Sequence, residues 1–434
     1  MNKWWTRTAC VVASASLAAL FATDRVAKAG NTEEQDDADD GSVGEKTLYV
    51  WAGDQARVAP DFLAVINFNE HSSHYGQVIR TVPLAGPGAV GNEPHHCHLS
   101  ADKNTLACGG LLSLLRGQNG IFFWDVSKAR HPKFLKSMSV PNSSITDDFY
   151  PLPGGGFLIT NMGSASGGAG GRLVEVDKNL NLVNEYPSVP PTDGFNPHGI
   201  DGRDDNNELV TSDFINPVTT LNAYSGPVEL RSSLRFWNLS ARALTRSVFL
   251  PDNAGTMDVK LVPGDAHGRA ITANMFTGRV YTVDPTDGSF VQSFDCENIV
   301  PEVVVPVRGG MTQILAMPKR GDRLIFASFQ AGQVGMLDIS NLTAANGFAQ
   351  QSVVNLGIFA GPHDINLTED DSRLVVTDYF LNEDNFGKIH FEGDHKVHVI
   401  KVTHDTLTED TRFALDYNTA FSTGPARPHG SAMK

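Results

Sequence analysis

Residues 95–106 read HHCHLSADKNTL, and HGIDGRDDNNEL at 198–209 and HDINLTEDDSRL at 363–374 repeat the same frame. In each stretch a histidine lies eleven positions before a leucine that opens an apolar segment. With small gaps, the frame also places Asp147, Met257 and Gln313 before the apolar segments at 157–160, 270–273 and 324–327. These anchor positions recur at intervals of roughly 50 to 60 residues, which indicates a repeated supersecondary unit.

Each repeat contains four short apolar segments typical of β-strands. The third one ends in a turn, seen as FWDVS at 123–127, FWNLS at 236–240 and MLDIS at 336–340, and a fourth strand follows it. Four short antiparallel strands per repeat make one blade of a β-propeller. A pair of β-sandwiches is the alternative fold, but it does not predict near-equal periods or a shared anchor frame.

Segments near the two ends of the sequence are predicted to form one blade together. The segments 47–51, 62–67 and 77–82 precede the first anchor and lack an inner strand, which 425–433 can supply, placing His429 at the anchor position. Closure of this kind protects the edge strands of a propeller. The sequence therefore predicts an all-β fold over 46–434, a seven-bladed β-propeller closed by N- and C-terminal strands in one blade.

The amino-terminal segment has the pattern of an export signal. Lys3 and Arg7 precede an apolar core of residues 9–22, which is too short to span a bilayer, and Ala27-Lys28-Ala29 forms a small-residue cleavage site. We therefore expect a signal peptide over 1–29, cleaved after Ala29, and an acidic flexible leader over 30–45. The expected location is the periplasm or the extracellular space, with no membrane span.

Composition narrows the range of partners. The 434 residues include 49 acidic and 34 basic side chains, for a formal net charge of −15. Because such a chain has no basic stripe to neutralise phosphates, nucleic acid is not an expected partner.

The anchor layer is rich in histidine. In ring order it reads His429, His95, Asp147, His198, Met257, Gln313 and His363. Neutral imidazoles that converge from several strands suit a transition metal, and affinity for nitrogen ligands is highest for copper among the first-row divalent ions. Asp147 and Asp364 can ligate directly or accept the second ring N–H of a ligand histidine. The alternative is that these histidines only bind neighbouring loops by hydrogen bonds.

Strand alternation complicates the segment 95–98. Alternation places His95 and Cys97 on one face and His96 and His98 on the other, so these residues reach one ion only if the strand start is irregular. His96 stays a candidate ligand because it lies at the loop boundary, and His98 is expected at the surface. Cys97 could be a soft copper ligand, a partner of Cys108 in a disulfide, or a buried thiol.

Several of these motifs together resemble the selenium-binding protein or methanethiol oxidase family. They are the pair His95-His96, the stretch from VPPTDGFNPH at 189–198 through TSDF at 211–214 to LRFWN at 234–238, the stretch AGPHDINLTEDDSRLVVT at 360–377, and GPARPH at 424–429. The resemblance spans most of the chain after the leader, in the same blade order.

This resemblance implies a seven-bladed propeller and, for exported bacterial members, a copper-dependent oxidase. Such enzymes convert methanethiol, oxygen and water to formaldehyde, hydrogen sulfide and hydrogen peroxide. It also implies that His95, His96 and His429 occupy copper-site positions. The chain departs from the family pattern at Cys97-His-Leu-Ser100, at Asp147, where the family has a histidine, and in the short ending Gly430-Ser-Ala-Met-Lys434.

The leading hypothesis is a periplasmic copper enzyme that oxidises a small thiol with O2. The metal ligands it predicts are His95, His96, His198, His363 and His429. One alternative is a propeller without catalytic activity that binds metal or protein. Another is a non-haem iron oxygenase, because four histidines on a seven-bladed propeller also suit iron.

Overall fold

The computed structural model describes residues 44–300, 307–378, 381–383 and 385–434. The expected signal peptide and all but the end of the expected leader lie outside these residues. The regular structure is almost entirely β-strand, with short 3-10 helices at Ser113–Arg116, Pro217–Thr220, Cys296–Asn298 and Arg308–Gly310.

The strands form seven antiparallel blades, numbered here in the order of their anchors. Blade 1 consists of β4 (Pro94–Leu99), β5 (Thr105–Gly110), β6 (Ile121–Asp125) and β7 (Lys133–Met138). Blade 2 consists of β8 (Ser143–Pro151), β9 (Phe157–Ser164), β10 (Arg172–Val176) and β11 (Leu182–Tyr186). Blade 3 consists of β12 (Pro197–Arg203), β13 (Glu208–Ile215), β14 (Leu230–Asn238) and β15 (Ala243–Phe249). Blade 4 consists of β16 (Thr256–Leu261), β17 (Ala270–Asn274), β18 (Arg279–Val283) and β19 (Phe290–Asp295). Blade 5 consists of β20 (Thr312–Ala316), β21 (Arg323–Ser328), β22 (Gln333–Asp338) and β23 (Ala349–Asn355).

Blades 6 and 7 depart from the simple four-strand order. Blade 6 is β24 (Pro362–Leu367), β25 (Arg373–Asp378), β28 (Lys396–Val402), β29 (Leu407–Glu409) and β30 (Leu415–Asp416), with the hairpin of β26 (Leu381–Asn382) and β27 (His390–Phe391) inserted after β25. Blade 7 is β31 (Ala426–Met433), β1 (Thr47–Asp54), β2 (Phe62–Asn67) and β3 (Val78–Pro83).

Blade 7 confirms the predicted closure. Its inner strand, β31, pairs antiparallel with β1, so that Leu48 faces Met433 and Ala52 faces Pro428. The backbone of Lys434 continues this pairing with two hydrogen bonds to Thr47, of 2.7 and 2.8 Å. The predicted all-β, seven-bladed architecture is therefore correct.

Apolar packing lies between neighbouring blades. Between blades 7 and 1, the ring centroids of Trp51 and Trp124 are 5.0 Å apart, and both side chains are fully buried among Leu63, Leu106 and their neighbours. The indole N–H of Trp51 donates to the carbonyl of Gly109 at 2.8 Å, so its polar atom is satisfied. Contacts of this type fix how each blade is oriented to the next.

Every inner strand carries a one-residue bulge at its anchor. In blade 1 the pairing passes from Pro94–Gly110 to Cys97–Cys108, three residues on β4 against two on β5. The same register shift occurs at the anchors of the other six blades. A bulge breaks the alternation of side chains. Two consecutive residues can therefore face the axis at the point where each inner strand begins.

Below the bulges, carboxylates join the inner strands of successive blades. Oδ2 of Asp201 accepts from the N–H of Leu261, and Oδ2 of Asp258 accepts from the N–H of Leu315, at 2.7 and 2.9 Å. Asp148 and Asp364 make the equivalent contacts with Ile200 and Ser431. These bonds satisfy inner-strand donors that have no strand partner on the axis side.

A further buried carboxylate connects blade 7 to the entry of β4. Asp61 is 1% exposed, and its Oδ2 accepts from the backbone and side-chain nitrogens of Asn92 at 2.8 and 3.0 Å. Burial raises the pKa of Asp61 to about 6, against the partial opposition of these hydrogen bonds. The folded state thus holds the Asp61 proton more tightly than the unfolded state does.

We expect Asp61→Asn to flatten the dependence of stability on pH between 4 and 6. Because the folded pKa of Asp61 is raised, wild type gains stability relative to the variant as the pH falls through 6, by on the order of 2–3 kcal/mol in total. Urea unfolding of both proteins at intervals between pH 4 and 7 measures the difference. Parallel profiles would contradict the assignment to Asp61.

Candidate metal centre

The five histidines predicted as ligands all lie at the axis and are buried. Their exposed fractions are 1% for His95, 4% for His96, 2% for His198, and 0% for His363 and His429. Asp147 lies among them and is 0% exposed. The structure thus brings the five predicted ligand histidines together with Asp147.

Two overlapping groups within this cluster have the geometry of a metal site. One is formed by His95, His96, His363 and His429, and the other by His95, Asp147 and His198. In each group, one ligand atom per residue lies within 4.8 Å of all the others. The Nε2 atoms of His96 and His363 are 3.1 Å apart. That is close to the separation of about 3.3 Å between two nitrogens bound tetrahedrally at 2.0–2.1 Å from one ion.

The bulge in β4 explains why neighbouring histidines both belong to the site. Because alternation is broken there, the His95 and His96 rings stack with centroids 4.3 Å apart. The ring of His429 lies 4.3 Å from that of His95, across the boundary between blades 7 and 1. Gly430 permits this approach, because a Cβ at that position would lie 2.1 Å from the carbonyl oxygen of His95.

Hydroxyl groups on second strands hold the anchor backbone in place. Thr160 donates to the carbonyl of His198, and Thr377 donates to the carbonyl of His429, each at 2.5 Å. In both cases the hydroxyl belongs to the preceding blade. The positions of the imidazoles are therefore fixed by packing between blades, as a preorganised site requires.

Neighbouring acceptors set the orientation of several rings. Nδ1 of His363 donates to Oε1 of Gln313 at 2.6 Å, which leaves Nε2 of His363 as the basic nitrogen. Nε2 of His95 donates to Oδ2 of Asp147 at 3.0 Å. The other oxygen of Asp147 lies 3.2 Å from Nδ1 of His96 and 3.1 Å from Nδ1 of His198. Contacts of this type select the tautomer and the ring plane of a metal-binding histidine.

Burial keeps most of these imidazoles neutral. It lowers the pKa of His198 to about 4 and holds the pKa values of His363 and His429 well below the usual range. A neutral imidazole offers a lone pair to a cation without first losing a proton. These three side chains are thus electrostatically ready to act as ligands at neutral pH.

Asp147 and His96 carry the opposite charges of the cluster. Burial alone would raise the pKa of Asp147, but His198 and His95 hold it well below its usual range. Burial likewise disfavours protonation of His96, yet the hydrogen bond and charge of Asp147, with Asp364 and Asp148, raise its pKa to about 9. One carboxylate therefore supplies the negative charge that a buried cation in this site needs.

Asp364 contacts the cluster only through its charge. Its Oδ2 accepts from the backbone N–H and the hydroxyl of Ser431, at 2.9 and 3.0 Å, and from Asn366. It stands outside both candidate ligand groups and joins β24 to β31. Asp364 thus supports the strand that carries His429.

Of the three possibilities for Cys97, the structure has the disulfide. Cys97 forms a disulfide with Cys108, directly opposite it on β5, so its sulfur is not a thiolate donor. The bulge places Cys97 away from the face of His95, which strand alternation alone had assigned to it. Cys296 is buried and takes no part in a disulfide.

The histidine cluster separates two cavities. On the side where the inner strands begin, a pocket of about 80 Å³ is bordered by His95, Asp147 and His198 and by apolar side chains. On the opposite side, a cavity of about 560 Å³ is bordered by His96 and His98 and by several carboxylates. We name these the apolar pocket and the polar cavity. The side chain of His98 is 41% exposed, so it does open to solvent, through the polar cavity.

Parts of the apolar pocket were missed by the sequence reasoning. Leu381 and Phe391 reach it from the hairpin inserted in blade 6. The segment after β5, which runs into the 3-10 helix Ser113–Arg116, contributes Leu111, Leu112, Leu114 and Leu115. Glu383 also borders it and accepts from the hydroxyl of Thr220 at 2.6 Å. The leucine-rich run 111–115 was a usable signal, because it lies outside the four strands of its repeat.

Comparisons with known proteins agree with this fold and site. No family model matches the chain. A methanethiol oxidase of Hyphomicrobium is 26% identical over 274 residues, which cover 56% of this chain and 57% of that protein. The matched region thus spans little more than half of the relative.

Solved structures show the same architecture. The X-ray structure of a hypothetical selenium-binding protein from Sulfolobus tokodaii matches with a TM-score of 0.71 and 16% identity, covering 91% of this chain and 94% of that one. A streptogramin B lyase matches with a TM-score of 0.52 and 11% identity, covering 91% and 100%. At these identities the likeness concerns the fold.

Fold and site together define a seven-bladed β-propeller with a buried histidine cluster on its axis. The sequence is similar to that of a methanethiol oxidase, and the fold is similar to that of a selenium-binding protein. Within the described ranges, no helix has the length and apolar character needed to cross a membrane.

We expect His363→Ala and His429→Ala each to abolish stoichiometric metal binding, because each removes a nitrogen from the four-histidine group. His404→Ala is the matched control, since His404 is partly exposed and pairs with Asp322 at 3.1 Å away from the axis. Mass spectrometry of metals in the purified proteins measures the outcome. Full occupancy in both axis variants would show that the metal is held elsewhere.

Asp147→Asn distinguishes the two overlapping groups. If the four histidines are the ligands, the variant still binds one metal ion per chain, with an affinity about 10- to 100-fold lower because Asp147 only orients and neutralises the site. Competition with a chelator measures this affinity. Complete loss of metal in Asp147→Asn, with binding retained in His429→Ala, would favour the group of His95, Asp147 and His198.

Proposed function

We propose that this chain is an exported copper-dependent oxidase of a small thiol, which acts with O2. The observation that carries the proposal is a buried group of four histidines directly beside a small apolar pocket. The similarity to a methanethiol oxidase supports the reaction class. The predicted signal peptide supports a periplasmic location.

The apolar pocket suits a compact, uncharged substrate. Its volume of about 80 Å³ is small beside the 560 Å³ of the polar cavity, and its lining is mostly apolar. Met162, Met257 and Met275 border it, and thioether side chains adapt to small apolar or sulfur-containing ligands. A thiol with one or two carbons suits this apolar lining, whereas glutathione carries charged groups that the lining does not match.

In the proposed site, His95, His96, His363 and His429 hold the metal, and His198 remains close to Asp147. Bound copper would lower the pKa of a thiol and accept electrons on their way to O2. Asp147 orients His95 and carries the negative charge beside the ligands. The apolar side chains exclude water from the thiol, which strengthens its electrostatic contacts with the site.

Metal analysis of the untagged mature protein, followed by oxygen-uptake assays, tests the proposal. We expect about one copper ion per chain, and oxygen uptake with methanethiol that yields formaldehyde, hydrogen sulfide and hydrogen peroxide in equal amounts. Ethanethiol should react more slowly, and glutathione should not react.

Other outcomes would identify the alternatives. Iron in place of copper, without thiol turnover, would favour an oxygenase. Bound metal with no turnover would favour a metal-binding propeller, and absence of metal after reconstitution would leave the cluster a structural feature.

A further inference from the structure

The histidine cluster has two faces that meet very different surroundings. His95 and His198 border the apolar pocket, whereas His96 borders the polar cavity. Nδ1 of His96 and Nδ1 of His198 contact the same oxygen of Asp147, at 3.2 and 3.1 Å. The cluster is therefore the partition between the two cavities, and a metal ion must reach it from one side or the other.

The apolar pocket is a poor route for a hydrated cation. The apolar pocket, at about 80 Å³, has far less room for a hydrated ion than the polar cavity, at about 560 Å³. Its surface is mostly that of Leu, Ile, Met and Phe side chains. Passage would require the ion to shed its waters among groups that cannot replace them, at a high cost in free energy.

The polar cavity meets both requirements. Its volume of about 560 Å³ accommodates a hydrated ion, and Asp148, Asp258 and Asp364 lie on its wall. Arg203, Lys260 and Lys319 also border the cavity, and Lys260 pairs with both oxygens of Asp258 at 3.0 Å. These basic groups are outnumbered by five carboxylates on the wall, since Asp201 and Asp205 also border it. The carboxylate oxygens can replace waters as the ion approaches His96.

His98 adds a nitrogen on the same path. It lies two residues after His96, is partly open to solvent, and its Nε2 is 3.5 Å from Oδ1 of Asp148. This pair offers a nitrogen and an oxygen between the mouth of the cavity and the buried cluster. A cation would thus meet suitable ligands at each stage of its transfer.

We propose that the metal ion enters and leaves the histidine cluster through the polar cavity, while the thiol uses the apolar pocket on the opposite face. The inference rests on the proposed function for the metal in the cluster and for the thiol in the apolar pocket. It assigns the residues of the polar cavity to metal loading and separates this route from the route of the substrate.

The experiment blocks each cavity in turn with a chemical label on an introduced cysteine. Met317 borders the polar cavity and Ser166 borders the apolar pocket, and both are at least partly exposed. Met317→Cys and Ser166→Cys are each made in the chain that begins at Gly30, where the introduced residue is the accessible thiol beside the Cys97–Cys108 disulfide and buried Cys296. Each metal-free protein is labelled with N-methylmaleimide, as the small control, or with a bulky adamantyl maleimide.

Uptake of Cu(II) supplied as its glycine complex is then followed by quenching with EDTA, gel filtration and metal analysis. We expect the bulky label at Met317 to slow uptake at least tenfold relative to the small label, without changing the final stoichiometry. The bulky label at Ser166 should change the rate less than twofold. Leu367→Cys, which borders the polar cavity from blade 6, provides a second plug position should Met317→Cys fail to fold.

Equal rates with both labels at Met317 and Leu367, or slow uptake caused by the label at Ser166, would overturn the proposed route. Failure of the unlabelled wild type to take up Cu(II) would instead overturn the metal site itself. The two failures are therefore distinct.

Discussion

The one-residue bulge at the start of each inner strand is the constraint on which the centre of this molecule depends. A regular strand would send every second side chain of β4 away from the axis, so His95 and His96 would not share a site. The bulge turns both inward, and its repetition in seven blades makes a crowded layer in which rings lie 4.3 Å apart. Close packing between blades then leaves room only for glycine at position 430.

Burying several ionisable side chains in one layer costs free energy unless their charges compensate one another. Several imidazoles are buried where solvent cannot hydrate them, and burial holds most of them neutral. Asp147 lies within 3.2 Å of three of these rings and carries the compensating negative charge. A carboxylate at this position supplies a charged oxygen in place of a neutral nitrogen donor. The electrostatic balance of this site therefore differs from that of a site built of histidines alone.

The period of the anchor frame was sufficient to predict the fold, because each blade is a local unit whose strands follow one another in the chain. It also selected His95, His198, His363 and His429, since equivalent positions of repeated blades converge at the axis. The choice between a disulfide and a thiol at Cys97 could not be made, because it depends on the bulge in β4. The apolar pocket depends on loops 111–115 and 381–391, which lie outside the repeat and have no period to reveal them.

Closure of the ring by β31 has a further consequence. His429 is carried by the strand that joins the two ends of the described chain, and its carbonyl is held by Thr377 of blade 6. The four-histidine group therefore exists only after blades 6, 7 and 1 have docked. An ion bound there would stabilise the closed propeller by its binding free energy, because it would not bind a chain whose blades have not docked into a ring. Acquisition of the ion and completion of the circle would then be one thermodynamic event.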